Sequence, residues 1–264
     1  MHVGICQYEI QWENKEKNMD KVMSYIAEAK AQNLDIIFLP EMSLTGFSME
    51  VEKTKDEFAS ETIKKFQKIC KEQEIAVGFG WVEKVGEVKA HNHYTLVDRN
   101  GEMLSDYVKI HPFRYGGEAE CFEGGDTVEA CKLGEHKIAT AICYDLRFPE
   151  LFRIMDKDCT VVVVPANWPA SRKEHWSCLL QARAIENQIY VIGINCAGTM
   201  NGIYYSGNSA VFDPLGKLLV EIHDKEGMIC ADIPNDVESY RSSFPVRLDQ
   251  RIEVVHKVEN GGCT

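Results

Sequence analysis

Compact apolar runs alternate with stretches of helical spacing along most of this chain. Residues 2–7 form a short hydrophobic run, residues 14–33 then place Met19, Val22, Met23 and Ile26 at helical intervals, and Asp35-Ile-Ile-Phe-Leu39 follows. Pro40 closes that run, because proline has no N–H to give to a strand ladder. The pattern predicts strand, helix, strand. Residues 60–72 repeat Ile63, Phe66 and Ile69 on one face of a second helix, and residues 75–81 supply the next strand. Asn100-Gly101 then joins residues 93–97 to residues 103–108 as a hairpin.

The alternation continues with a strand at 136–142 and a helix near 150–155. The β-branched run Thr160-Val-Val-Val-Val164 suits a strand buried on both faces. A helix at 173–187 and a strand at 189–194 come next. Residues 209–212 and 217–222 pair around Asp213-Pro-Leu-Gly216, and a strand at 227–233 and a helix at 235–243 complete the pattern. Although 264 residues permit two domains, regular alternation without a low-complexity linker favours one layered α/β domain over residues 1–245. Residues 246–264, with Val254 and Val255 among their apolar positions, form an extension that either frays or packs on another subunit.

Composition narrows the function classes. A net charge of −12 offers no positive field for phosphate backbones or anionic lipid, so neither nucleic acid nor a membrane surface is expected as a partner. Ten cysteines scattered without a recurring spacing, and a start that lacks a signal-peptide pattern, predict a reduced, cytoplasmic chain. Residues 187–212 carry no Asp, Glu, Lys or Arg, but polar residues interrupt them too often for a membrane span.

The candidate chemistry lies where predicted strands end: Glu41 after the second strand, Lys109 after residues 103–108, and Cys143 after residues 136–142. Alone, each has an ordinary structural role: a core thiol, a turn carboxylate, a solvated amine. Brought together, they could perform acyl transfer. Glu41 would take the thiol proton. Lys109 and the backbone N–H after Cys143, that of Tyr144, would stabilise the oxygen of a tetrahedral adduct. His91-Asn-His93 and His111 belong to no His-Glu-x-x-His or Cys-x-x-Cys pattern, and Gly124-Gly125 lacks a phosphate-loop ending. No metal and no cofactor are therefore expected.

Three ordered blocks, Asp35-Ile-Ile-Phe-Leu-Pro-Glu41-Met-Ser-Leu-Thr-Gly-Phe47, Tyr107-Val-Lys109-Ile-His-Pro-Phe113 and Ala141-Ile-Cys143-Tyr-Asp-Leu-Arg-Phe-Pro149, resemble the signatures of the nitrilase superfamily, the carbon-nitrogen hydrolases. The resemblance runs to about Pro245. It implies a four-layer α-β-β-α sandwich, usually assembled as a homodimer or a higher even-numbered oligomer. It further implies that Glu41 is the general base, Lys109 the stabiliser of the tetrahedral intermediate and Cys143 a nucleophile that carries a thioester. Glu118 matches the family's additional active-site glutamate, with Glu120 as its local competitor.

Ala166-Asn-Trp168-Pro-Ala-Ser-Arg172-Lys-Glu-His175-Trp176, residues 180–188 and Tyr205-Ser-Gly-Asn-Ser209 are most similar to the omega-amidase group. That group takes the side-chain amide of a short 2-oxo-dicarboxylate, 2-oxoglutaramate or 2-oxosuccinamate. Asn195-Cys196 departs from the Asn-Arg pairing common in similar members. The substrate wall is expected from Phe47, Tyr115, Trp168 and Tyr205, with Arg172 for the distal carboxylate; the alternative is that Arg147, Arg172 and Arg183 satisfy structural carboxylates. Two other functions stay open: an N-carbamoyl or general aliphatic amidase, and an inactive binding module on the same fold.

Overall fold

The alternating pattern becomes two sheets in the computed structural model, which describes residues 1–56, 61–87, 89–155 and 157–252. The first six strands are β1 (His2–Gln7), β2 (Ile36–Phe38), β3 (Lys55–Asp56), β4 (Ala76–Val85), β5 (Lys89–Val97) and β6 (Met103–Val108). They are followed by β7 (Ala130–Leu133), β8 (His136–Thr140), β9 (Val161–Ala166), β10 (Tyr190–Asn195), β11 (Ala197–Met200), β12 (Ile203–Phe212), β13 (Leu218–His223) and β14 (Gly227–Asp232). The helices are α1 (Lys15–Ala31), α2 (Val51–Thr54), α3 (Glu61–Gln73), α4 (Glu118–Cys121), α5 (Pro149–Met155), α6 (Lys173–Asn187) and α7 (Val237–Ser243).

One sheet runs β14-β1-β2-β4-β5-β6, with β3 continuing beyond β2 along the edge of β4; the other runs β11-β12-β10-β9-β8-β7, with β13 beside β12. Period-two alternation decides what each face touches. Ile37 and Leu39 join the cluster that contains Met19, Val22 and Ile26 of α1 and Phe66 of α3. Ile36 and Phe38 instead share a cluster with Val161–Val164, Leu151 and Phe152 of α5, and Trp176 and Leu180 of α6. The order is helix, sheet, sheet, helix. This is the α-β-β-α sandwich.

Differences from the sequence pattern are concentrated at edges. β4 and β5 extend to Val85 and Lys89, with Trp81 opposite His93 and Glu83 opposite His91, because a hairpin can continue where charged side chains reach solvent. Strands β7 and β11 and the start of β12 were not predicted; Ala130-Cys-Lys-Leu133 is too short to show a period. Thr140, rather than Ile142, ends β8. Of the predicted extension, Val246–Asp249 forms a single turn with Leu248 and Ile252 exposed, whereas Val254 and Val255 lie outside the described residues, as does residue 60 at the start of the second predicted helix. Among the described residues, no helix is long and apolar enough to cross a membrane.

Candidate active site

Glu41 sits where one strand is exchanged for another along β4. Pro40 ends β2, and Met42 adopts φ 45°. A Cβ on Gly80 of β4 would stand 2.4 Å from the Met42 nitrogen, so glycine is what allows the Glu41–Met42 backbone to lie against that strand. Ser43 fixes the contact: its N–H donates to the Gly80 carbonyl (3.1 Å), its Oγ accepts from the Gly80 N–H (2.8 Å) and donates to the Pro40 carbonyl (2.6 Å).

Lys109 follows β6 directly. Its N–H donates to the Asn92 carbonyl and its own carbonyl accepts from Gly125, both at 2.9 Å. A Cβ on Gly125 would meet Val108 at 2.7 Å, so the Gly124-Gly125 pair serves a close backbone approach. Cys143 begins a 3-10 turn, Cys143–Arg147, with its backbone in the left-handed region at φ 47°. The buried Asp145 carboxylate holds that turn. Oδ2 accepts from the Ile142 N–H and the Tyr107 hydroxyl, each at 2.9 Å. Oδ1 accepts from the His111 N–H at 2.9 Å and lies 2.7 Å from His111 Nδ1.

These three strand ends meet. Lys109 Nζ donates to Glu41 Oε1 (2.9 Å) and to Glu118 Oε2 (2.8 Å) and Oε1 (3.1 Å), and all three side chains are buried. Asn92 Nδ2 bridges the two carboxylates, at 2.8 Å from Glu41 and 3.0 Å from Glu118. The Asn167 N–H reaches Glu41 Oε2 (2.9 Å), and the Phe113 N–H reaches Glu118 Oε2 (2.5 Å). Glu120 is exposed, which decides between the two local glutamates.

The electrostatics follow from burial and charge count. Burial opposes the ammonium of Lys109, but Glu118 and Glu41 outweigh it and raise the lysine above its ordinary value. For Glu118, burial raises the carboxyl and Lys109 pulls it back. Burial also raises the Cys143 thiol well above its usual range; Glu41 and Glu118 add to the rise, while Lys109 and the Asn167 N–H oppose it. Two carboxylates around one ammonium leave a net negative cluster that disfavours a second anion on sulfur. The resting cysteine is therefore a thiol, and attack requires a base at the moment the bond forms.

Cys143 opens onto a cavity of about 710 Å³ that is also lined by Phe47, Tyr144, Trp168, Arg172 and Tyr205. The ammonium of Lys109 lies 5.2 Å from the centre of the Phe47 ring. Tyr115 is the exception among the predicted wall residues: it is 89% exposed and does not line this cavity, and Phe113, two residues earlier, lines it instead. Arg147 also faces the cavity, its guanidinium 4.8 Å from the Trp168 ring. Among the described residues, neither Arg147 nor Arg172 has a carboxylate partner, whereas Arg183 is held by the Leu146 carbonyl and Glu186. Asn195 pins the Trp168 backbone through Oδ1 (2.7 Å) and Nδ2 (3.0 Å), and Cys196 beside it is buried.

Sequence reasoning assigned no role to Asn92, Asn167 or Phe113. Asn92 had a usable signal, since it shares a strand face with Tyr94 and Leu96, and a buried amide in that row needs partners.

Two sheets back to back, covered by helices and presenting a cysteine, a lysine and a glutamate at strand ends with a second glutamate from α4, define an enzyme of the α-β-β-α hydrolase class. The carbon-nitrogen hydrolase family model matches residues 2–242, and the chain belongs to that family. It is 30% identical over 252 residues to a 2-oxoglutaramate amidase of Bacillus subtilis (strain 168), covering 94% of this chain and 97% of that protein. It is 34% identical over 252 residues to omega-amidase YafV of Yersinia enterocolitica, covering 93% and 94%. A solved CN-hydrolase superfamily protein from Xanthomonas campestris, with an arsenic adduct in its active site, superposes with a TM-score of 0.89 at 28% identity, covering 97% of this chain and 98% of that one.

Proposed function

We propose that this carbon-nitrogen hydrolase removes the omega-amide of a short 2-oxo-dicarboxylate, 2-oxoglutaramate or 2-oxosuccinamate, through a thioester on Cys143. The observation that carries the reading is the buried Glu41–Lys109–Glu118 cluster beside Cys143, at a cavity whose wall holds two arginines without carboxylate partners among the described residues. The names of the similar amidases support the same substrate class.

Glu41 takes the proton of the Cys143 thiol as sulfur bonds to the amide carbon. Lys109 Nζ and the Tyr144 N–H receive the oxyanion. Collapse of the adduct breaks the C–N bond, and Glu41 returns its proton to nitrogen, so that ammonia leaves and a thioester remains. Water then gives a proton to Glu41 and its hydroxyl to the carbonyl carbon; the second adduct expels sulfur, which recovers the proton. Glu118 and Asn92 position Lys109 and Glu41. Arg172 binds the distal carboxylate, orienting the reactive carbon.

A panel of 2-oxo-acid omega-amides, N-carbamoyl amino acids, simple amides and nitriles, followed by ammonia release and product mass, tests this reading. The highest kcat/KM is expected for the 2-oxo-dicarboxylate amides, with a loss of about tenfold or more when the distal carboxylate is removed. Equal kcat/KM for the matched neutral amide would overturn the specificity, a preference for N-carbamoyl compounds would assign a carbamoyl amidase, and no turnover of any amide would assign a binding module.

A further inference from the structure

The hairpin of β4 and β5 carries a second group of chemically capable side chains, on the face opposite the active site. In this register Glu83 stands opposite His91, and His93 follows two residues along the same strand, so all three project from one face. Asn92, between the histidines in sequence, points the other way, to Glu41 and Glu118.

Glu83 Oε2 lies 3.2 Å from His93 Nε2 and 3.5 Å from His91 Nδ1, and one atom from each of the three residues falls within 4.8 Å of the others. Ligands held at about 2.0–2.1 Å in a tetrahedron stand roughly 3.4 Å apart, close to the two separations from Glu83. The surroundings of His93 add an independent argument. Its other nitrogen, Nδ1, lies 3.0 Å from Asp106 Oδ2, Thr95 donates its hydroxyl to Asp106 Oδ1, and the Trp81 indole stacks on the imidazole at 4.3 Å and donates Nε1–H to Thr95 Oγ1. A ring that holds hydrogen at Nδ1, toward Asp106, offers its Nε2 lone pair to a cation beside Glu83. That is how a metal-bound histidine is fixed: the outer carboxylate sets tautomer and ring plane.

Accessibility fits as well. The His93 side chain is 6% exposed, while His91 and Glu83 are 25% and 38% exposed, leaving an open side for water ligands. His91 also borders a separate cavity of about 390 Å³ whose wall includes Asp106, Asp126 and Glu129, a region that attracts cations.

We propose that Glu83, His91 and His93 form a binding site for one divalent transition-metal ion, with zinc the best match to two imidazoles and a carboxylate. Asp106 is the outer partner that orients His93. The ion sits between His93 Nε2 and Glu83, joins two adjacent strands near their solvent end, and braces the strand that carries Asn92. It touches no reacting atom.

The test is equilibrium dialysis of Zn²⁺ and visible spectroscopy of Co²⁺ on the wild-type protein and on His91→Gln and Glu83→Gln, which change accessible side chains. The wild type should bind one equivalent more than either variant and show tetrahedral Co²⁺ bands that both lose by tenfold or more in affinity. Zn²⁺ should also raise the wild-type Tm by roughly 5 °C and leave the variants unmoved, because an ion that binds the folded state alone stabilises it. Identical stoichiometry and Tm response in wild type and variants would overturn the site. So would bands that survive both substitutions and vanish in Cys143→Ser, which would place the ion on the catalytic thiol.

Discussion

At the scale of single residues, the chemistry depends on how a buried thiol gives up its proton. Burial, then Glu41, hold Cys143 above the ordinary thiol range, so a preformed thiolate is not the resting species. An acid raised in this way stays neutral until the pH climbs past its shifted value. The absorbance difference near about 240 nm between wild type and Cys143→Ser should therefore stay flat from about pH 6 to about pH 9, where an unperturbed thiol near 8.5 would show a step. A step in that window would contradict the shift. Glu41→Gln keeps the shape of the side chain and its contact with Lys109 but removes the proton acceptor. Its kcat should fall by about 10²–10⁴ with the fold retained by circular dichroism, and near-normal turnover would remove Glu41 from the base role.

At the scale of elements, the site exists because three strand ends are held by contacts that have little to do with propensity. The turn after β8 depends on Asp145, whose two oxygens serve the Ile142 and His111 N–H groups, the Tyr107 hydroxyl and His111 Nδ1. Asp145→Ala would leave the buried Ile142 N–H and Tyr107 hydroxyl and the half-buried His111 unpaired. A loss of about 3 kcal/mol in chemical denaturation is expected, with activity falling as Cys143 loses its fixed φ, and a change below about 0.5 kcal/mol would show that the turn stands without it. Strand ends were legible in the sequence because Pro40 and the β-branched runs mark them, and the three signature blocks carried Glu41, Lys109 and Cys143, while Glu118 came from a separate family match that left Glu120 as its competitor. What lay between was not legible. Asn92 pairs with its glutamates across 51 and 26 residues of sequence, a register fact that no local spacing reveals. Tyr115 and Phe113 differ by two positions in a tight turn with Gly117 at φ 82°, and periodicity does not say which ring such a turn sends inward.

At the scale of the whole molecule, exposed apolar side chains stand out on an acidic surface. Phe244, Leu248 and Ile252 near the end of the described chain, with Ile185 on α6 and Leu215 in the turn after β12, are all exposed. Such surface is costly in water and is most simply covered by a second copy, as the family resemblance leads one to expect. Light scattering should give a homodimer or a higher even-numbered assembly at micromolar concentration, while a persistent monomer would reject that expectation and leave the chemistry untouched. The reaction proposed above passes through an acyl group on Cys143. Rapid acid quench during turnover of 2-oxoglutaramate, followed by intact mass and peptide mapping, should show a gain equal to one 2-oxoglutaryl group on the peptide that contains Cys143, absent from a folded Cys143→Ser protein that also releases no ammonia. Sustained ammonia release by that variant, or an acyl group carried on a different residue, would rule out Cys143 as the nucleophile.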